Sequence, residues 1–129
     1  MTIPVIIICD DETELVSELA EWFESNGWVV RTAHNANEAF VLLADAKRAT
    51  CLVTDLWMPL SDGDALVRRI GALPVTERPS LVAMMTGDIG VEDSPRPPGT
   101  DLVFMKPVDP TAMLKAIADQ LSTMSASMS

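Results

Sequence analysis

Four short stretches of the chain, Ile3–Cys9, Cys51–Thr54, Leu81–Met85 and Leu102–Met105, run apolar without polar alternation and are rich in Ile, Val and Leu. A strand covered on both faces has that composition, because neither set of its alternating side chains meets water. Trp28–Ala33 reads as a fifth, weaker strand. Between the first strand and this one, Glu12–Asn26 places Leu15, Leu19, Trp22 and Phe23 at helical spacing and ends at Asn26-Gly27, a left-handed stop signal. Asn35 followed by Glu38 resembles a capping box and opens a second helix with Ala39, Phe40 and Leu43 on its inner face. Asp64–Leu73 predicts a third, with Leu66, Val67 and Ile70 on one side and Pro74 closing it. Asp109-Pro110 supplies an N-cap and a first-turn proline for a last helix carrying Met113, Leu114, Ile117 and Leu121. The domain is expected over residues 1–121, with 122–129 as a flexible tail.

Strands alternating with amphipathic helices imply right-handed crossovers, hence an α/β fold with a parallel sheet and helices on both faces. One interval breaks the rhythm. Gly87–Thr100 contains Gly90, Pro95, Pro97, Pro98 and Gly99, so a fourth helix there is shortened or replaced by a proline-rich loop.

At 129 residues the chain has the size of one domain. No apolar run approaches the roughly 20 residues needed to span a bilayer, and Met1–Ile8 lacks the basic flank and cleavage site of a secretory signal. A cytoplasmic location without membrane insertion is therefore expected. The net charge of −10 disfavours nucleic acid as a direct partner. Cys9 and Cys51 sit in apolar runs, where cysteine acts as a small buried hydrophobe. His34 is the sole histidine, which disfavours a histidine-based metal site or a Ser/His/Asp triad.

The chemistry lies among the acids. Asp10 and Asp11 follow the first strand and Asp55 follows Cys51–Thr54, so all three stand at carboxyl ends of strands. In open parallel sheets, ligands bind beyond those ends where strand order reverses, and a 2-1-3-4-5 order would bring the three acids together there. Two unit charges 4 Å apart repel by about 4 kcal/mol at an effective dielectric of 20. A cation must therefore join them: Lys106, at the end of the last strand, a hard divalent ion such as Mg2+, or both. The Thr86 hydroxyl, at the end of the fourth strand directly after Leu81–Met85, can donate to an oxyanion arriving at the same edge.

Asp10-Asp11, Asp55 with Met58-Pro59 and Gly63 downstream, Thr86-Gly87 and Lys106-Pro107 together resemble the signature of response-regulator receiver domains of two-component systems, specifically the single-domain, chemotaxis-regulator-like kind. The match spans nearly the whole chain. It implies a flavodoxin-like (βα)5 three-layer sandwich of strand order 2-1-3-4-5. It further implies a phosphorelay switch in which Asp55 accepts a phosphoryl group from the phosphohistidine of a sensor histidine kinase or phosphotransfer protein. By the same resemblance Asp11, Asp55 and the Trp57 backbone carbonyl bind Mg2+ directly, Asp10 acts largely through water, and Lys106 and Thr86 engage the phosphoryl group. A downstream protein target is implied, and a homodimer is compatible.

Two departures bear on output. Receivers commonly carry an aromatic residue three positions before the lysine, and here Val103 stands there with Phe104 beside it. The proline-rich interval occupies the usual fourth helix and is expected to be a partner-specific loop.

Each motif alone has a plainer reading: Asp11 with Glu14 as a helix cap, Lys106-Pro107 as a strand end, Thr86-Gly87 as a turn. Trp22, Phe23, Met84 and Met85 read as core. Other functions open at this point are a phosphorylation-independent binding module and a small magnesium-dependent phosphotransferase or phosphatase. The starting methionine and serine-rich end fit a stand-alone protein.

Overall fold

The structure is a computed structural model that describes residues 3–45, 50–56, 63–87 and 99–128. Five parallel strands form one sheet: β1 (Val5–Cys9), β2 (Val29–Ala33), β3 (Cys51–Asp55), β4 (Leu81–Thr86) and β5 (Leu102–Met105), in the order β2-β1-β3-β4-β5. The helices are α1 (Thr13–Ser25), α2 (Ala36–Asp45), α3 (Gly63–Gly71) and α4 (Pro110–Met128), with a 3-10 turn at Val75–Glu77. This is the flavodoxin-like arrangement expected from the sequence. The fourth helix or proline-rich loop expected after β4 falls on residues 88–98, outside the described residues.

Strand alternation divides the core into two layers. Ile7, Cys9, Leu52, Val82 and Met84 pack with Ala39 and Leu43 of α2 and Leu66, Val67 and Ile70 of α3. Their neighbours Ile6, Ile8, Val53, Ala83 and Met85 pack with Val16, Leu19 and Phe23 of α1 and Met113 and Ile117 of α4. All residues of β3 and β4 are buried, which is why those segments read as unbroken apolar runs. Both cysteines are buried reduced thiols, as expected. Burial pushes the Cys9 thiol up to about 12, an effect that a hydrogen bond from Thr54 only partly offsets and the nearby acids reinforce; burial raises Cys51 as well.

The element ends follow local chemistry. β1 begins at Val5 rather than Ile3 because Pro4 has no N–H for the ladder; its carbonyl still accepts from Val29 N at 3.0 Å. α1 closes with Trp28 N donating to Phe23 O and Gly27 N to Glu24 O, while Gly27 takes φ +89°. Phe23 then meets Trp28 edge-on at 5.3 Å. At the start of α2, Asn35 Oδ1 accepts from Glu38 N, and Glu38 Oε1 accepts from His34 N, each at 2.9 Å. α3 stops at Gly71, before the expected Leu73, and Arg78 donates to the carbonyls of Gly71 and Leu73, each at 2.8 Å.

The last helix differs most from expectation. It continues past Leu121 to Met128, so residues 122–128 prolong α4. No glycine or proline interrupts this stretch, and Met124 extends the apolar stripe of Ile117 and Leu121 against the core.

β5 is tied to β4 beyond the ladder. Asp101 N donates to Val82 O at 2.7 Å, and Asp101 Oδ2 accepts from Val82 N at 2.9 Å. At the other end Lys106 N donates to Thr86 O at 2.8 Å.

Gly27 and Gly99 both adopt left-handed backbone, but a Cβ at Gly27 would meet nothing within 4 Å, whereas one at Gly99 would lie 3.3 Å from Val67 Cγ1. Gly27→Ala is expected to cost about 1 kcal/mol in urea denaturation, and Gly99→Ala more. Both thiols are expected to resist Ellman's reagent at pH 8 until urea unfolds the chain, because neither is exposed and neither ionises there.

Candidate functional site

The parallel registers build the site. Cys9 pairs with Thr54, Asp55 with Met85 and Thr86 with Met105, so Asp10, Asp55, Thr86 and Lys106 reach one edge of the sheet together. This edge lies where the chain reverses its strand order between β1 and β3.

Asp10 and Thr86 are almost fully buried there, and Asp55 is 5% exposed. Asp10 Oδ1 accepts from Glu12 N at 2.9 Å, which fixes the carboxylate against the entry to α1. Its other oxygen, Oδ2, lies 2.8 Å from Lys106 Nζ. The same ammonium stands 3.4 Å from Asp55 Oδ2 and 3.6 Å from Glu12 Oε1. Lys106 therefore faces three carboxylates. Burial alone would lower its pKa, but the hydrogen bond and charge of Asp10, followed by Asp55 and Glu12, outweigh burial and hold it above the ordinary lysine value.

Asp10, Asp11 and Asp55 each offer an oxygen, and these oxygens lie within 4.8 Å of one another. Asp11 is exposed while the other two are buried, so the group opens to solvent on one side. Hard oxygen donors in this number, with one ammonium beside them, suit a divalent cation that keeps part of its water shell. The donor set therefore fits Mg2+.

The plainer reading of Asp11 as a helix cap is not what the chain adopts. The N-cap of α1 is Glu12, and it makes no side-chain capping bond. The structure thus brings together Asp10, Asp11, Asp55 and Lys106, with Thr86 buried at the adjoining strand end. Trp57, Met58 and Pro59 lie outside the described residues. The Lys106–Pro107 peptide is cis. Sequence reasoning missed Glu12: three successive acids are visible, but only the fold turns the third toward Lys106.

The family model described as "Response regulator receiver domain" matches residues 6–118. The chain belongs to that family. The receiver is 34% identical over 117 residues to the transcriptional regulatory protein FixJ of Rhizobium meliloti (strain 1021), covering 91% of this chain but only 56% of that protein. Among solved structures, it resembles a CheY-like receiver domain protein from Methanospirillum hungatei JF-1, with TM-score 0.86 and 24% identity, over 98% of this chain and 99% of that one. A response regulator receiver protein from Pseudomonas putida matches with TM-score 0.80 and 26% identity, over 93% and 98%.

Receiver domains are the phosphorylation-regulated switches of two-component signalling. They interact with histidine kinases and downstream effectors, and typically bind Mg2+ at an acidic pocket. No helix among the described residues of this receiver is long and apolar enough to cross a membrane.

The raised pKa of Lys106 sets a pH dependence. The contribution of its ion pairs is fully present below the unfolded lysine value of about 10.4 and is lost as pH rises through the higher folded-state value. In urea denaturation at a series of pH values, the stability advantage of wild type over Lys106→Met is expected to hold from neutral pH to about 10 and to shrink above it.

Proposed function

We propose that this receiver accepts a single phosphoryl group on Asp55 from the phosphohistidine of a sensor histidine kinase or phosphotransfer protein, and that the modified state regulates a protein partner. The observation that carries the reading is the position of Asp55 Oδ2, 3.4 Å from Lys106 Nζ and inside the group of acidic oxygens with Asp10 and Asp11.

In this reading an Asp55 carboxylate oxygen forms a bond to phosphorus while the donor P–N bond breaks, its electron pair returning to the imidazole. Such a reaction needs in-line positioning and charge stabilisation more than a protein base. Asp10, Asp11, Asp55 and the Trp57 carbonyl would hold Mg2+, with Asp10 acting largely through water. When bound, the ion supplies charge neutralisation at the phosphoryl oxygens. Lys106 neutralises the same oxygens from the protein side, and Thr86 donates its hydroxyl to one of them.

The product carries more negative charge than a carboxylate and offers new acceptors, which favours whichever conformation brings Thr86 and Lys106 closest. Readout differs from the aromatic switch common in this family. Val103 occupies that position and is 37% exposed, while Phe104 packs into the layer of α1 and α4 and cannot replace it. We assign the output to the protein surface around β4 and β5, and the acidic charge of the chain favours a protein target over nucleic acid. The setting is cytoplasmic, where the kinase partner acts, and self-association into a homodimer is compatible with it.

Incubation with acetyl phosphate and Mg2+ followed by intact-mass measurement is expected to give one labile phosphoryl adduct, absent from Asp55→Ala and from an EDTA control. Continuous phosphate release at many turnovers would instead mark an enzyme. Absence of the adduct with both acetyl phosphate and a phosphorylated histidine-kinase donor would mark a phosphorylation-independent binding module.

A further inference from the structure

Glu12 has an unusual position for an acid at the start of a helix. As the N-cap of α1 it could accept from the free N–H groups of that helix, yet it makes no such bond, and glutamate is not among the favoured N-cap residues. Its backbone N–H is held by Asp10 Oδ1, and its carboxylate reaches back to Lys106 Nζ at 3.6 Å. The side chain is 61% exposed, so it stands on the open side of the site, whereas Asp10 and Asp55 lie beneath.

We infer that Glu12 restrains phosphorylation of Asp55, by sharing Lys106 in the unmodified protein and by repelling an anionic phosphodonor as it arrives. The inference rests on Asp55 being the phosphoacceptor. Glu12 acts through Lys106 and through its field, so it is a positioning residue rather than a catalytic one.

Because both oxygens contact one Nζ, Glu12 Oε1 and Asp55 Oδ2 are no more than about 7 Å apart, a distance at which one unit charge alters a reaction of another by about threefold in a water-like medium and by more where water is displaced. The exposure of Glu12 places the effect toward the lower end. Lys106, meanwhile, can be fully claimed by the phosphoryl oxygens only when Glu12 releases it.

The step tested is transfer from acetyl phosphate: an Asp55 oxygen bonds to phosphorus, and acetate leaves with the electron pair of the broken P–O bond. Initial rates of adduct formation are compared for wild type, Glu12→Gln and Glu12→Asp, at low and high salt, with acetyl phosphate and with the less negatively charged phosphoramidate. Glu12→Gln is expected to accelerate transfer from acetyl phosphate by about three- to tenfold at low salt. The gain should be smaller with phosphoramidate and should shrink at 1 M salt, where screening acts over about 3 Å. Glu12→Asp keeps the charge and should restore most of the slow rate.

Wild-type rates in Glu12→Gln at low salt, or a gain indifferent to salt and donor charge, would overturn the inference while leaving Asp55 as phosphoacceptor. Failure of the wild-type protein to form any adduct would overturn both.

Discussion

One ammonium group organises the site. Lys106 Nζ lies within ion-pair distance of Asp10, Asp55 and Glu12, which come from the ends of two strands and the start of a helix. Without that positive charge, carboxylates brought together in a largely buried setting would repel one another strongly. With it, the excess of negative charge is reduced but not cancelled. The site is therefore stable enough to fold and still attractive to a divalent cation.

The sheet makes this possible through its strand order and register. Parallel strands deliver their carboxyl ends to one edge, and two complete layers of apolar side chains hold their order and register. The buried runs of β3 and β4 place Asp55 and Thr86 where the sheet stops, and their neighbours on both faces are core. Asp10 links this edge to the next element by accepting from Glu12 N, so the acid cluster and the first turn of α1 share an atom-level connection.

Much of this was legible in the sequence because the governing signals are local. Unbroken apolar runs marked the buried strands, and acids placed directly after two of them marked the edge. Asn26-Gly27 marked the end of α1, and Asn35 with Glu38 the start of α2. Other features depend on tertiary context. Nothing in the composition of Ser122–Met128 announces a helix, and its extension owes more to the core contact of Met124 than to propensity. Past the early stop of α3 the carbonyls of Gly71 and Leu73 accept from Arg78, a residue far enough along the chain to be silent in a helical pattern. The direction of the Glu12 side chain was equally invisible, since a capping acid and an ion-pairing acid look the same in one dimension.

Asp101 shows how far from the chemistry a geometric determinant can lie. Its backbone and carboxylate bind both polar groups of Val82, so β5 is fastened one residue before its ladder begins and fastened again after it, where Lys106 N meets Thr86 O. A strand held at both ends has one permissible register. Sliding it by a single residue would turn every side chain to the opposite face, Lys106 included. Asp101 thus works as a reference mark: by fixing where β5 starts, it fixes which residue arrives at the acidic edge and on which side of the sheet its ammonium emerges.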